Sequence, residues 1–288
     1  MPLDEDKYPA ETGRRRFVKG VVGSAALSGV GVGGAAAVDA TTDAAGEGGG
    51  TTPFVAVENT AGPAPRGMPI IPIEIDGGEI SGLWPEYDEN AGAAVAPDFG
   101  GSGIDYSSQW FQYCGIQSTA AIYPQSDRNS TFLNDTGTFS WQGEYESGKP
   151  LTVDMFDDYK EWGNGIGDSG VGKPASVVWR TNSEGKNGAP VQIIRSVEVE
   201  KMANGEDEYA DLPGSVQSFV SEATDQGFIA WLNKCTHFCC VPGFKTQEGS
   251  ANFAAANDIY CQCHQSVYDP FSPVQSTFVA LPRPPKTE

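Results

Sequence analysis

Two short cysteine–histidine boxes near the C-terminal end constrain this chain more than any other feature. The first reads K-C-T-H-F-C-C-V-P-G and supplies Cys235, His237, Cys239 and Cys240. The second reads Y-C-Q-C-H-Q-S-V-Y-D and supplies Cys261, Cys263 and His264. Both histidines of the 288-residue chain lie in these boxes, with five of its 6 cysteines. Each box offers one cysteine and one histidine suited to a metal centre, and a further cysteine at a fixed offset. Three readings fit such residues: structural zinc, a disulfide framework in an oxidising compartment, or an iron–sulfur cluster of mixed ligation. Zinc sites commonly take a cysteine pair from one knuckle and a histidine pair from the other. Here each box gives one of each.

The segment before the first box, Gly227 to Asn233, reads as a buried strand that delivers a rigid backbone to the ligand loop. Upstream, G-K-P-A-S-V-V-W-R-T (172–181) reads as a turn and a strand, Val191 to Val199 alternates as another strand, and Asp211 to Thr224 holds a short helix. Residues 53–100 read as extended pieces and loops without ligand chemistry. Residues 106–123, around Trp110, Phe111, Tyr113 and Cys114, read as a buried strand region. Residues 128–171 read as a surface insertion with one short helix near Met155–Trp162, its carboxylates a solvated face. With 36 glycines and 20 prolines between short apolar runs, the body is expected to be all-β, or β-rich with short helices.

The N-terminal end has a separate character. Arg14-Arg15-Arg16-Phe17-Val18-Lys19 is followed by a run from Gly20 to Val38 without charge. Residues 1–38 therefore look like a twin-arginine export signal, either cleaved or kept as a membrane anchor helix with the N-terminus inside. Residues 39–52 have no periodicity and read as a flexible tether. Its root-mean-square span is roughly 20 Å and its extended limit about 45–50 Å. The head then runs from 53 to 288.

The boxes resemble those of the Rieske iron–sulfur family, C-T-H-x-G-C and C-x-C-H-x-S-x-Y. Cys235 and Cys261 match the family's thiolate ligands, and His237 and His264 its imidazole ligands. Cys240 and Cys263 match the disulfide of its membrane-bound branch. Ser266 and Tyr268 match hydroxyl positions that donate hydrogen bonds to a cluster sulfide and a ligand thiolate. The 172–181 strand is similar to the G-K-P strand of Rieske subunits from cytochrome bc complexes. The resemblance covers roughly residues 13–52 and 172–285, and is weak over 53–171.

The resemblance implies an antiparallel β-sandwich base with a cluster-binding subdomain at about 234–272. It implies a [2Fe–2S] cofactor with a potential in the upper part of the range from roughly −150 to +300 mV. It also implies an electron-transfer role in a membrane complex, with the head on the outer face. A b-type cytochrome subunit and quinol would be partners, and a cytochrome c or blue-copper protein the acceptor. His264, with His237 second, would meet the quinol. The alternative is the relay subunit of an exported molybdenum oxidase of the arsenite-oxidase type. A Rieske oxygenase does not fit, because no histidines remain for its second iron. Two departures stand out. Cys239 replaces a glycine of the family pattern, so Cys239 and Cys114 are left either as a second disulfide or as two buried free thiols. The covering proline-rich loop falls at Leu281 to Pro285, and the strands that usually close the domain are expected to be lost or supplied by the insertion.

Asp and Glu number 38 against 18 Lys and Arg, a formal net charge of −20. That opposes nucleic acid and anionic lipid as partners. The acids are dispersed, so we read them as a salt-adapted, halophilic surface. The melting temperature should accordingly rise between low and multimolar salt. A melting temperature that does not move would refute the reading.

Overall fold

The structure is a computed structural model and describes residues 50–283. The signal and anchor expected at 1–38, the tether up to residue 49, and residues 284–288 lie outside the described residues. Among the described residues no helix is long and apolar enough to cross a membrane.

The body is β-rich, as its composition implies. It opens with β1 (Gly50–Ala61), β2 (Met68–Ile71), β3 (Ile73–Asp76) and β4 (Glu79–Gly82). The short β5 (Tyr87–Asp88), β6 (Ala93–Ala96) and β7 (Tyr106–Ser107) follow. Then come β8 (Leu133–Asn134), β9 (Lys173–Trp179), β10 (Ala189–Arg195) and two helices, α1 (Val197–Asn204) and α2 (Gly214–Ala223). The last strands are β11 (Phe228–Leu232), β12 (Gly243–Phe244), β13 (Ile259–Cys261) and β14 (Ser266–Ala280). β1 takes in Gly50–Thr52, which composition alone assigns to the tether.

One curled antiparallel sheet has the order β12-β13-β14-β1-β2-β11-β10-β9-β8. Its join is β2, whose four residues are all buried. Met68 and Pro69 pair with Val57 and Ala56 of β1, whereas Ile70 and Ile71 pair with Trp231 and Ala230 of β11. A strand that changes partners midway makes a corner. The chain enters it through Gly67, where a Cβ would lie 2.1 Å from the Val57 carbonyl oxygen.

Aromatic rings fill the space under the sheet. Trp110 meets Tyr106 and Phe219 at 5.1 and 5.3 Å between centroids, and Phe54 packs on Phe278 at 5.0 Å. Helix α2 reaches this core because Val216, Phe219, Val220 and Ala223 fall on one face at helical spacing, and all four are buried.

The strand at 172–181, the helix within 211–224 and the buried strand at 227–233 are present as β9, α2 and β11. Three readings need correction. The alternation from 191 to 199 is not one strand. β10 stops at Arg195, and the Ser196 hydroxyl accepts the Glu198 N–H at 3.1 Å to cap α1. Capping overrides an alternation that would suit either structure. Residues 106–123 are largely buried, but beyond β7 they form 3-10 turns at Ser108–Phe111, Ile116–Ser118 and Ala120–Ile122.

The 128–171 insertion does not simply lie on the surface. Phe132, Leu151 and Phe156 are fully buried, β8 joins the sheet edge, and the expected helix is only a turn at Val153–Phe156. Polar groups of β9 fix it there. Lys173 donates to Asp158 Oδ1 and the Met155 carbonyl, both at 2.7 Å, under the Trp141 ring. Gln142 donates to the Ser176 carbonyl at 2.8 Å and accepts its N–H at 2.9 Å.

A row of carboxylates crosses the β13 side of the sheet. Glu58 of β1 pairs in register with Asp269 of β14, and Asp258 directly precedes Ile259, whose partner is Tyr268. Burial, then Asp269, pushes the Asp258 carboxyl up to about 8. Burial above all, with Glu58 and Glu208 adding to it, raises Asp269 to about 6. A carboxyl raised in this way holds its proton in the folded state after the unfolded chain has released it. Its contribution is therefore complete below about pH 4 and lost as pH rises through about 8. Asp258→Asn should remove about one proton from the pH slope of stability in that window. Urea unfolding of both proteins at several pH values measures this, and parallel slopes would contradict it.

Candidate metal centre

The first box is shaped by its own backbone. β11 runs buried to Leu232, and the Asn233 N–H donates to the Pro190 carbonyl at 2.9 Å, keeping the loop's root on the sheet. The Cys239 N–H then donates to the Cys235 carbonyl at 3.0 Å, and the Cys235 N–H to the Cys240 carbonyl at 2.8 Å. This closed turn requires φ +65° at Cys239, in the left-handed region. A disulfide joins Cys239 to Cys114, with 5.2 Å between Cα atoms, and the Tyr113 hydroxyl donates to the Lys234 carbonyl at 3.0 Å. Of the two states left open for Cys114 and Cys239, the structure shows the disulfide.

The second box is the turn of the β13–β14 hairpin. Cys261 pairs with Ser266, and the Gln265 N–H donates to the Cys261 carbonyl at 2.8 Å. The β1–β2 connection presses against this turn at Gly62, whose φ is +84°. A Cβ there would lie 2.5 Å from the Gln265 carbonyl oxygen and 2.6 Å from the Ser266 Cα. A second disulfide, Cys240–Cys263, locks the two boxes together with 6.6 Å between Cα atoms.

That leaves Cys235 and Cys261 as the free cysteines, both fully buried and with their sulfurs in hydrogen-bonding contact. Cys235 Sγ also accepts the Tyr268 hydroxyl at 3.2 Å and the backbone N–H groups of His237 and Phe238. Cys261 Sγ accepts those of Cys263 and His264. The Cys261 thiol, with Tyr268 and the N–H donors adding to it, pulls Cys235 down to about 5 despite burial. Cys261 is driven the other way by sharing its proton with Cys235 and by burial.

The imidazoles of the two boxes meet each other. The His237 and His264 ring centroids are 4.8 Å apart at 83°. His264 is exposed, while His237 Nδ1 is buried without a hydrogen-bond partner. A buried ring nitrogen without a partner is costly unless something else occupies it, and a neutral imidazole with a free nitrogen is a ready metal ligand. The donor set of two buried sulfurs and two imidazoles therefore suits a metal centre. The sulfurs of Cys240, Cys261 and Cys263 lie within 4.8 Å of one another. They are not such a set, because two of them are bonded to each other and carry no thiolate charge.

The supporting residues extend beyond the boxes. The Tyr268 hydroxyl donates to Cys235 Sγ and accepts the Thr236 N–H at 3.1 Å. Ser266 Oγ accepts the Ala64 N–H at 3.2 Å, which leaves its own hydrogen to donate. The Thr236 hydroxyl donates to the Arg66 carbonyl at 2.6 Å, and the Arg66 guanidinium lies over the rings of Phe278 and Tyr113 at 4.1 and 5.0 Å. Between 53 and 100 the sequence offers no ligand chemistry. The contributions of Gly62, Ala64 and Arg66 are backbone groups and an absent Cβ, which have no residue signature. Of the proline-rich segment, Leu281 donates its N–H to the Gln112 carbonyl at 2.9 Å and Arg283 reaches the Gly92 carbonyl at 2.7 Å. Pro284 and Pro285 lie outside the described residues.

No protein-family model, no curated protein and no solved structure matches this chain.

Gly62→Ala should destabilise the protein by about 1–3 kcal/mol, since strain at positive φ adds to collision with the hairpin backbone. Gly78→Ala has φ +89° with nothing within 4 Å of its Cβ, and should show the strain alone. Urea unfolding of the two variants separates these terms. Equal losses would mean that the close approach at Gly62 carries no weight.

Proposed function

We propose that this chain is a Rieske-type electron-transfer protein, with a [2Fe–2S] cluster held between the two boxes. The single observation that carries the proposal is the donor set. Cys235 and Cys261 place two buried sulfurs side by side, each under backbone N–H donors, next to His237 with its unpartnered Nδ1 and exposed His264. Cys235 and Cys261 would hold one iron, and His237 and His264 the other. Bound there, the cluster supplies a one-electron redox couple, and two neutral ligands in place of thiolates raise its potential. Tyr268 donates to the Cys235 sulfur, and Ser266 has a hydrogen to give toward a cluster sulfide. Such bonds favour the more electron-rich state.

His264 is the exposed imidazole and offers a ring nitrogen to a quinol hydroxyl, with the less exposed His237 second. Phe238, at 65% exposure, lies tilted against both rings, at 4.2 and 5.0 Å between centroids, and presents an apolar surface beside them. In this reading the chain takes an electron with a proton from quinol and passes the electron to a cytochrome c or blue-copper acceptor. It does so beside a cytochrome b-type subunit in a bc-type respiratory complex. Export by the twin-arginine route sets the head on the outer face of the cell membrane, and the tether lets it move between the two sites.

The purified full chain should contain iron and acid-labile sulfide in equal amounts, and Cys235→Ser should lose both. Zinc without sulfide would refute the proposal. Tyr268→Phe and Ser266→Ala should each lower the midpoint potential by about 40 mV. That figure takes about 1 kcal/mol for a lost hydrogen bond and 59 mV per factor of ten for one electron. Unchanged potentials in a redox titration would remove both hydroxyls from the site.

A further inference from the structure

Cys239 occupies the most constrained position of the first box. Its N–H closes the turn on the Cys235 carbonyl, its own carbonyl accepts the Lys234 ammonium at 3.3 Å, and its φ is +65°. A side chain in that region is unfavourable, and glycine is the residue that adopts it without strain. This chain has a cysteine there, bonded to Cys114. Cys114 belongs to a separate part of the body. Its neighbour Tyr113 is buried against Phe278 and holds the Lys234 carbonyl, at the root of the same turn. The Tyr113–Cys114 dipeptide thus grips the first box at both ends of its turn. The Cys240–Cys263 bond grips it from the other side and ties it only to the second box.

We propose that Cys239 and Cys114 are positioning residues. Their disulfide holds the 235–239 turn in its left-handed closure, doing by covalent constraint what a glycine does by conformational freedom. Through that turn it sets the backbone N–H groups of His237 and Phe238 on the Cys235 sulfur, and it fixes the His237 ring. The backbone part of this inference stands on geometry alone, and its consequence for the metal rests on the Rieske-type reading.

The test uses three forms of the full chain: the natural protein, Cys114→Ser with Cys239→Ala, and Cys114→Ser with Cys239→Gly. Neither double variant leaves an unpaired Cys114 or Cys239 thiol to exchange with Cys240–Cys263. Amide exchange over residues 234–240 reads the turn without any metal. We expect exchange about tenfold faster in the alanine form, from the cost of a left-handed side chain, and near-natural protection in the glycine form. Iron content and the electron paramagnetic resonance spectrum should follow the same order, with the glycine form restoring the natural spectrum. Equal protection in all three forms would overturn the inference, as would failure of glycine to rescue. If the natural protein binds no iron, the Rieske-type reading fails, while amide exchange still decides the role of the disulfide.

Discussion

The contact between the Cys235 and Cys261 sulfurs places two ionisable groups where neither is exposed to water. Both cannot carry charge there without a compensating cation, because desolvation and mutual repulsion act in the same direction. The fold meets this constraint with dipoles. Backbone N–H groups from the residues just after each cysteine point at the sulfurs, and the Tyr268 hydroxyl adds a third donor on Cys235. These donors favour the charged form of Cys235. In the Rieske-type reading one iron would balance the charge of both sulfurs, and the other would occupy His237 Nδ1.

Bringing the sulfurs together is a problem of sheet geometry. The first box follows β11 and the second lies between β13 and β14, with β1 and β2 standing between β14 and β11 in the sheet. In a flat sheet three strand spacings amount to about 14 Å. The Cα atoms of Cys240 and Cys263 are 6.6 Å apart. The corner at β2 brings the two halves toward each other, and the loops beyond the strand ends close the rest. The β1–β2 connection then fills the angle of that corner, which explains why Gly62, Ala64 and Arg66 all touch the boxes.

Much of the candidate site is legible in the sequence. The spacing of cysteines and histidines singled out the loops, Ser266 and Tyr268 stood at recognisable offsets, and the apolar run before Cys235 marked β11. What stayed hidden was whatever depends on backbone atoms or on distant chain segments. The capping role of Ser196 was masked by an alternation compatible with a strand. The insertion looked solvated because its acids are interleaved with glycines and polar residues, yet Phe132, Leu151 and Phe156 are fully buried. Side-chain chemistry is written residue by residue, whereas burial depends on what the rest of the chain brings alongside.

By itself the sequence determined the donor inventory, the β-rich class and the acidic surface, because these follow from residue types and local spacing. Only the tertiary structure decided which cysteines bond and which stay free. Cys114 stands 125 residues from Cys239, and no local pattern connects them. Pairing is a matter of distance in space, set here by the curl of one sheet and by the ring packing that holds Tyr113 against Phe278. The same closure leaves Cys235 and Cys261 as the two cysteines outside any disulfide.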